Sequence, residues 1–160
     1  MTEKESKADS EGYELLSRFG RERLEAIYGK VATRGRKRDH CPESFKDGVR
    51  LINLIEEFEQ GFREMVDDRT DFLQIAAWSF HFFIFRQPLK NCNHRTGYGI
   101  MKWVLTCFGY KLRIKPEEDA LEFFKKFEGG GVSVEEVKEW MVQNVSANRS
   151  RNSPSSSMRS

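Results

Sequence analysis

Between Asp71 and Arg86 the chain is apolar on nearly every side: Phe72, Leu73, Ile75, Ala76, Ala77, Trp78, Phe80, Phe82, Phe83, Ile84 and Phe85 leave no polar face. A helix of that kind in a soluble chain has to be covered on several sides, which predicts the centre of a helical bundle. The run is too short to span a bilayer. His81, set among these aromatics, reads as a core or boundary histidine with one hydrogen-bond partner. A second apolar stretch, Thr96–Phe108, reads as another buried helix, with Gly109 as its stop.

The two helices cannot be one, because Gln87-Pro88-Leu89-Lys90-Asn91-Cys92-Asn93-His94-Arg95 lies between them. Pro88 lacks the N–H an uninterrupted helix needs and turns Gln87 away from helical dihedrals. Asn91 and Asn93 tolerate turn and left-handed conformations. A helix starting near Arg95 or Thr96 points its first N–H groups, and the positive end of its dipole, back into this loop. Arg95 adds a planar fork of donors suited to phosphate oxygens. Residue chemistry alone leaves two readings: an interhelical turn with Arg95 as a solvated cap, or an anion pocket made by helix, loop and helix.

The order of residues adds to this. The stretch resembles the signature loop of the Fic/Doc family, whose pattern runs His-Pro-Phe-x-Asp/Glu/Asn-Gly/Ala-Asn-Gly/Lys-Arg-Thr-Gly/Ala. Pro88, Asn93, Arg95, Thr96 and Gly97 match it, and Asn91 matches loosely. The Gly109-Tyr110 that closes the second helix, the Lys115-Pro116-Glu117-Glu118 after it and a short final helix ending near Trp140 are similar to the death-on-curing branch. The resemblance covers about residues 65–142. It implies a compact all-α domain of about six helices with the signature loop joining two core helices. It also implies phosphate or nucleotide binding by Asn91, Cys92, Asn93, His94, Arg95 and Thr96, with ATP or another nucleoside triphosphate and Mg2+ as cofactors. Active relatives transfer AMP to a protein hydroxyl or, in the death-on-curing branch, phosphorylate a translation factor. A target protein presenting a Ser, Thr or Tyr hydroxyl is therefore implied.

Three departures from the pattern change the chemistry. Gln87 stands where the family has its catalytic His, Leu89 where it has Phe, and Asn91 where it has an acidic metal ligand. An amide has no useful pKa and cannot take a proton from a hydroxyl. Asn91 offers magnesium one neutral oxygen without charge. The resemblance thus implies a catalytically impaired relative that keeps its binding half. The alternatives are an active nucleotidyl- or phosphotransferase, toxin-like, with its base elsewhere, and a non-catalytic interaction module. The family's inhibitory Ser/Thr-x-x-x-Glu-Gly/Asn helix is not matched, since Lys7 precedes Glu11-Gly12 at the required position. Any inhibitor would be a separate, antitoxin-like partner.

The rest of the chain predicts a single helical domain over residues 12–145, with a polar, disordered 1–11 and a disordered Ser/Arg-rich tail at 146–160. Helical spacing runs from Tyr13 to Val31, weakened at Gly20, and then gives way to the basic run Arg34-Gly35-Arg36-Lys37-Arg38. Such a run is either a solvated loop or a contact for a phosphate-rich or acidic partner. One long helix is expected from Pro42 to Val66, with Asp67-Asp68 ending it and capping the next. Pro116 opens a further helix, and Ser133-Val134-Glu135-Glu136 is a capping box for a last helix to about Gln143. The 27 basic and 25 acidic residues argue against a dedicated nucleic-acid coat. No stretch reads as a membrane span or secretory signal. Cys41, Cys92 and Cys107 have no zinc-finger spacing, with or without His40 and His94, and no Cys–His–acid arrangement is legible. They predict reduced cysteines and a cytoplasmic setting.

Overall fold

The computed structural model describes residues 3–39, 44–112, 125 and 131–147. The elements, in order, are α1 (Glu3–Ser17), α2 (Arg21–Asp39), α3 (Phe45–Gly48), α4 (Ile52–Asp67), α5 (Phe72–Arg86), α6 (Asn93–Cys107), β1 (Tyr110–Leu112), α7 (Val134–Asn144) and β2 (Val145–Ala147). The fold is all-α. Among the described residues its strands are two three-residue segments that pair antiparallel, Tyr110 opposite Ala147 and Leu112 opposite Val145.

Helix α5 is the axis. Asp71 caps it, its carboxylate accepting the Leu73 N–H at 3.3 Å. Ile75, Ala76, Ala77, Phe80, Phe82, Phe83 and Ile84 are buried. The one polar residue buried with them, Ser79, donates its hydroxyl to the Ile75 carbonyl at 2.8 Å, which offsets its desolvation. Helices α6 and α7 pack on α5, while α4 brings Phe58 against Trp78, Phe82 and Phe83 at ring separations of 5.3, 5.3 and 5.0 Å. Each such aromatic contributes roughly 1.5–3 kcal/mol by burial, so this junction outweighs any surface ion pair. His81 lies where the sequence places it, stacked on Phe85, with Nε2 2.9 Å from the Val132 carbonyl.

The α5–α6 crossing depends on Gly97. A Cβ there would meet Phe83 Cβ at 3.0 Å and the Phe80 carbonyl oxygen at 3.1 Å. Helix α2 runs antiparallel to α6: the Arg23 guanidinium lies over Trp103, and Ile27 reaches Gly99 one turn of α6 earlier. Its later half therefore travels toward the start of α6. Tyr28 is buried there against Gly48 and Phe45.

Several expectations need correction. The backbone is already helical from Glu3, within the stretch expected to be disordered. The Tyr13–Val31 helix is two helices, broken at Arg18–Gly20, and α2 continues through the basic run to Asp39 instead of giving way to a loop. The long helix expected from Pro42 is divided, because Val49–Leu51 is extended and bonded to the loop after α5. Asp68 does end α4, but the cap of α5 is Asp71. Ser146 and Ala147, assigned to the tail, belong to β2. Of the helix expected after Pro116 the described residues hold Lys125 alone, which is helical, and residues 148–160 of the tail lie outside them. The capping box is present, Glu136 N–H donating to Ser133 Oγ at 3.1 Å and Ser133 N–H to Glu136 Oε1 at 3.4 Å.

Candidate functional site

The loop between α5 and α6 is held by three sets of bonds. Gln87 ends α5 in a left-handed conformation, φ 47° and ψ 63°, its N–H donating to the Phe83 carbonyl. Its side chain is exposed. The Pro88 carbonyl then accepts the N–H groups of Arg50 and Leu51 at 2.9 and 3.0 Å, and Lys90 N–H donates to the Gly48 carbonyl at 2.7 Å. This short antiparallel bridge sets Leu89 opposite Val49. Leu89 is fully buried, so the position where the resemblance expects Phe remains an apolar anchor.

Asn93 makes the third set. Its Oδ1 accepts the Leu89 N–H at 3.0 Å and its Nδ2 donates to the Leu89 carbonyl at 2.9 Å. One buried side chain thus satisfies both backbone groups of one buried residue and fixes where α6 starts. The N-cap of α6 is Cys92, left-handed at φ 66°, and its own side chain makes no capping hydrogen bond. A helix start carries donors and the positive dipole end toward whatever occupies the loop.

The sequence-derived site residues are therefore together, but they divide by exposure. Asn91, Cys92, His94 and Arg95 are half-buried around the first turn of α6, whereas Asn93 and Thr96 are buried. Thr96 Oγ1 has no hydrogen-bond partner among the described atoms. Asn93 is structural, since both ends of its amide are committed to Leu89.

Cys92 is disulfide-bonded. The oxidised sulfur corrects the expectation of a reduced loop cysteine and takes away the argument for a cytoplasmic setting that rested on it. Cys107 is free, and burial pushes its thiol up to about 11. Among the described residues no helix is long and apolar enough to cross a membrane, and no group of three His, Cys, Asp or Glu side chains is placed to hold a metal ion.

Sequence reasoning missed the partner strand of the loop, Gly48–Leu51. Its signal was Gly48, which interrupts an apolar stripe that otherwise continues at helical spacing. A recess of about 510 Å3 lies apart from the loop, between α1 and the end of α4, lined by Glu11, Tyr13, Glu14, Asp67 and Arg69 among others. Tyr13 closes its floor, donating to the Thr70 carbonyl at 2.6 Å under the Arg69 guanidinium. Comparison with protein-family models, curated proteins and solved structures finds no match for this chain.

Proposed function

We propose that this chain is a Fic/Doc-like protein whose Gln87–Thr96 loop binds a phosphate group of ATP or another nucleoside triphosphate, and that it is a catalytically impaired relative of protein AMP-transferases or phosphotransferases. The observation that carries the reading is the start of α6 at the loop between two core helices, where the Cys92 side chain makes no capping bond and the Asn93–Leu89 pair holds the register. In this reading the first-turn backbone of α6 and the Arg95 guanidinium receive the phosphate, because an aligned dipole and a charged fork both favour an anion there. Exposed Lys90 adds charge at the rim. The buried Thr96 hydroxyl stands on the first turn and has no hydrogen-bond partner among the described atoms.

Magnesium fits poorly. Residues 87–97 contain no carboxylate, Asn93 is committed to Leu89, and what remains are the neutral amides of Gln87 and Asn91. Proton transfer is missing too. Gln87 is exposed where the resemblance places a base, and its amide cannot deprotonate a target hydroxyl, so bound nucleotide is held and not transferred.

Titration calorimetry with ATP, CTP, GTP and UTP tests binding. Arg95→Ala weakens it about ten- to a hundredfold, the worth of a charge-assisted bond to phosphate. Gln87→His restores transfer of label from ATP to a protein, since a positioned base contributes about 10²–10⁴-fold. Absence of any nucleotide binding at millimolar concentration overturns the reading. Strong wild-type transfer that Gln87→Ala leaves untouched turns it toward the active-enzyme alternative, with His94 the first base to test.

A further inference from the structure

The near-neutral total of 27 basic and 25 acidic residues conceals a segregation of charge. Glu11, Glu14 and Asp67 outnumber Arg69 around the recess between α1 and α4. Within residues 44–51 and 87–97 the exposed charges are Lys46, Arg50 and Lys90 against the single carboxylate of Asp47. They belong to one unit, because the bonds from Arg50 N–H to Pro88 and from Lys90 N–H to Gly48 tie the two segments together. Arg18, Arg21, Arg86 and Lys138 have carboxylate partners at 3.1, 2.6, 2.7 and 3.3 Å. No carboxylate among the described residues pairs with Lys46, Arg50 or Lys90. The backbone of α2, antiparallel to α6 and helical to Asp39, brings the Arg34–Arg38 run toward the same end of the molecule.

We infer that this basic edge, built from the Gly48–Leu51 and Pro88–Lys90 bridge, docks an acidic peptide segment of a partner protein. Charge complementarity names the occupant, and two observations favour carboxylates over a nucleic-acid strand. Within 44–51 and 87–97 the one Phe, Tyr or Trp is Phe45, which is buried, so the edge offers a base no ring beyond the half-buried His94 imidazole. The opposite, acidic pole repels a long polyanion while leaving a short acidic segment free to approach. The inference stands whether or not the loop binds nucleotide.

Fluorescence anisotropy of a labelled oligoglutamate peptide with the full chain tests it at low ionic strength. The expected result is saturable binding that weakens as salt rises. Lys46→Glu combined with Arg50→Glu and Lys90→Glu weakens it by about tenfold or more, because three exposed pairs become repulsive. Lys111→Glu, exposed on β1, leaves it unchanged. Should the triple reversal misfold by circular dichroism, the three glutamine variants together give the same direction with a smaller loss. No binding of oligoglutamate overturns the inference, as does binding indifferent to both triple variants. Tighter binding of a single-stranded RNA of equal charge overturns it in favour of nucleic acid. An ATP titration of the Lys46→Glu, Arg50→Glu double variant, which keeps Lys90 at the rim of the loop, reports on the nucleotide reading separately.

Discussion

Removing the Asn93 amide offers the sharpest test of how the loop is built. Asn93→Ala leaves the Leu89 N–H and carbonyl without the partners they have at 3.0 and 2.9 Å, on a residue that is fully buried. An orphaned buried backbone group costs about 1–3 kcal/mol, so the pair costs about 2–4 kcal/mol when some relaxation toward water is allowed. For a chain of this size each kcal/mol moves the midpoint by about 2–4 °C, which gives a fall of roughly 5–15 °C in thermal unfolding followed by circular dichroism. The isosteric Asn93→Asp separates bonding from volume. Its carboxylate still accepts from Leu89 N–H but presents an oxygen, not a donor, to the Leu89 carbonyl. It should be as destabilising as alanine at neutral pH and recover part of the loss under acid conditions, where the protonated carboxyl donates again. If Asn93→Ala unfolds within about 0.5 kcal/mol of the parent, the typical effect of an inert surface change, the claim that this side chain sets the loop is wrong.

Two further outcomes follow from the packing. Gly97→Ala drives a methyl into Phe83 and the Phe80 carbonyl, so α5 and α6 must separate; a loss of about 1–3 kcal/mol in denaturant unfolding is expected, and an unchanged midpoint refutes the close crossing. Burial raises Cys107 to about 11 and Tyr98 to about 12, so both are neutral in the fold at pH values where the unfolded chain already ionises them. Their contribution is complete below pH 9 and is lost as pH rises toward 12, and native Cys107 should resist iodoacetamide at pH 8 while reacting after denaturation. Rapid native alkylation of Cys107 contradicts its burial.

Much of this was legible in the sequence because the signals were local. A helix apolar on every side can only be central, and α5 is; Asp71 and Ser133 cap by bonds to residues two and three positions ahead. Pro88 had to break the chain, Gly109 had to end α6, and it does so at φ 81°. The grouping of Gln87, Asn91 and Arg95 at one helix junction likewise follows from their adjacency in the chain. Long-range partners were not legible. Val49–Leu51 carries an apolar stripe compatible with helix, yet it is extended, because Pro88 and Lys90 supply hydrogen bonds that only the folded loop brings within reach. The pairing of β1 with β2 depends in the same way on segments that only the folded chain brings together. Periodicity reports which face of a segment is buried; which backbone groups find each other is decided by the tertiary fold.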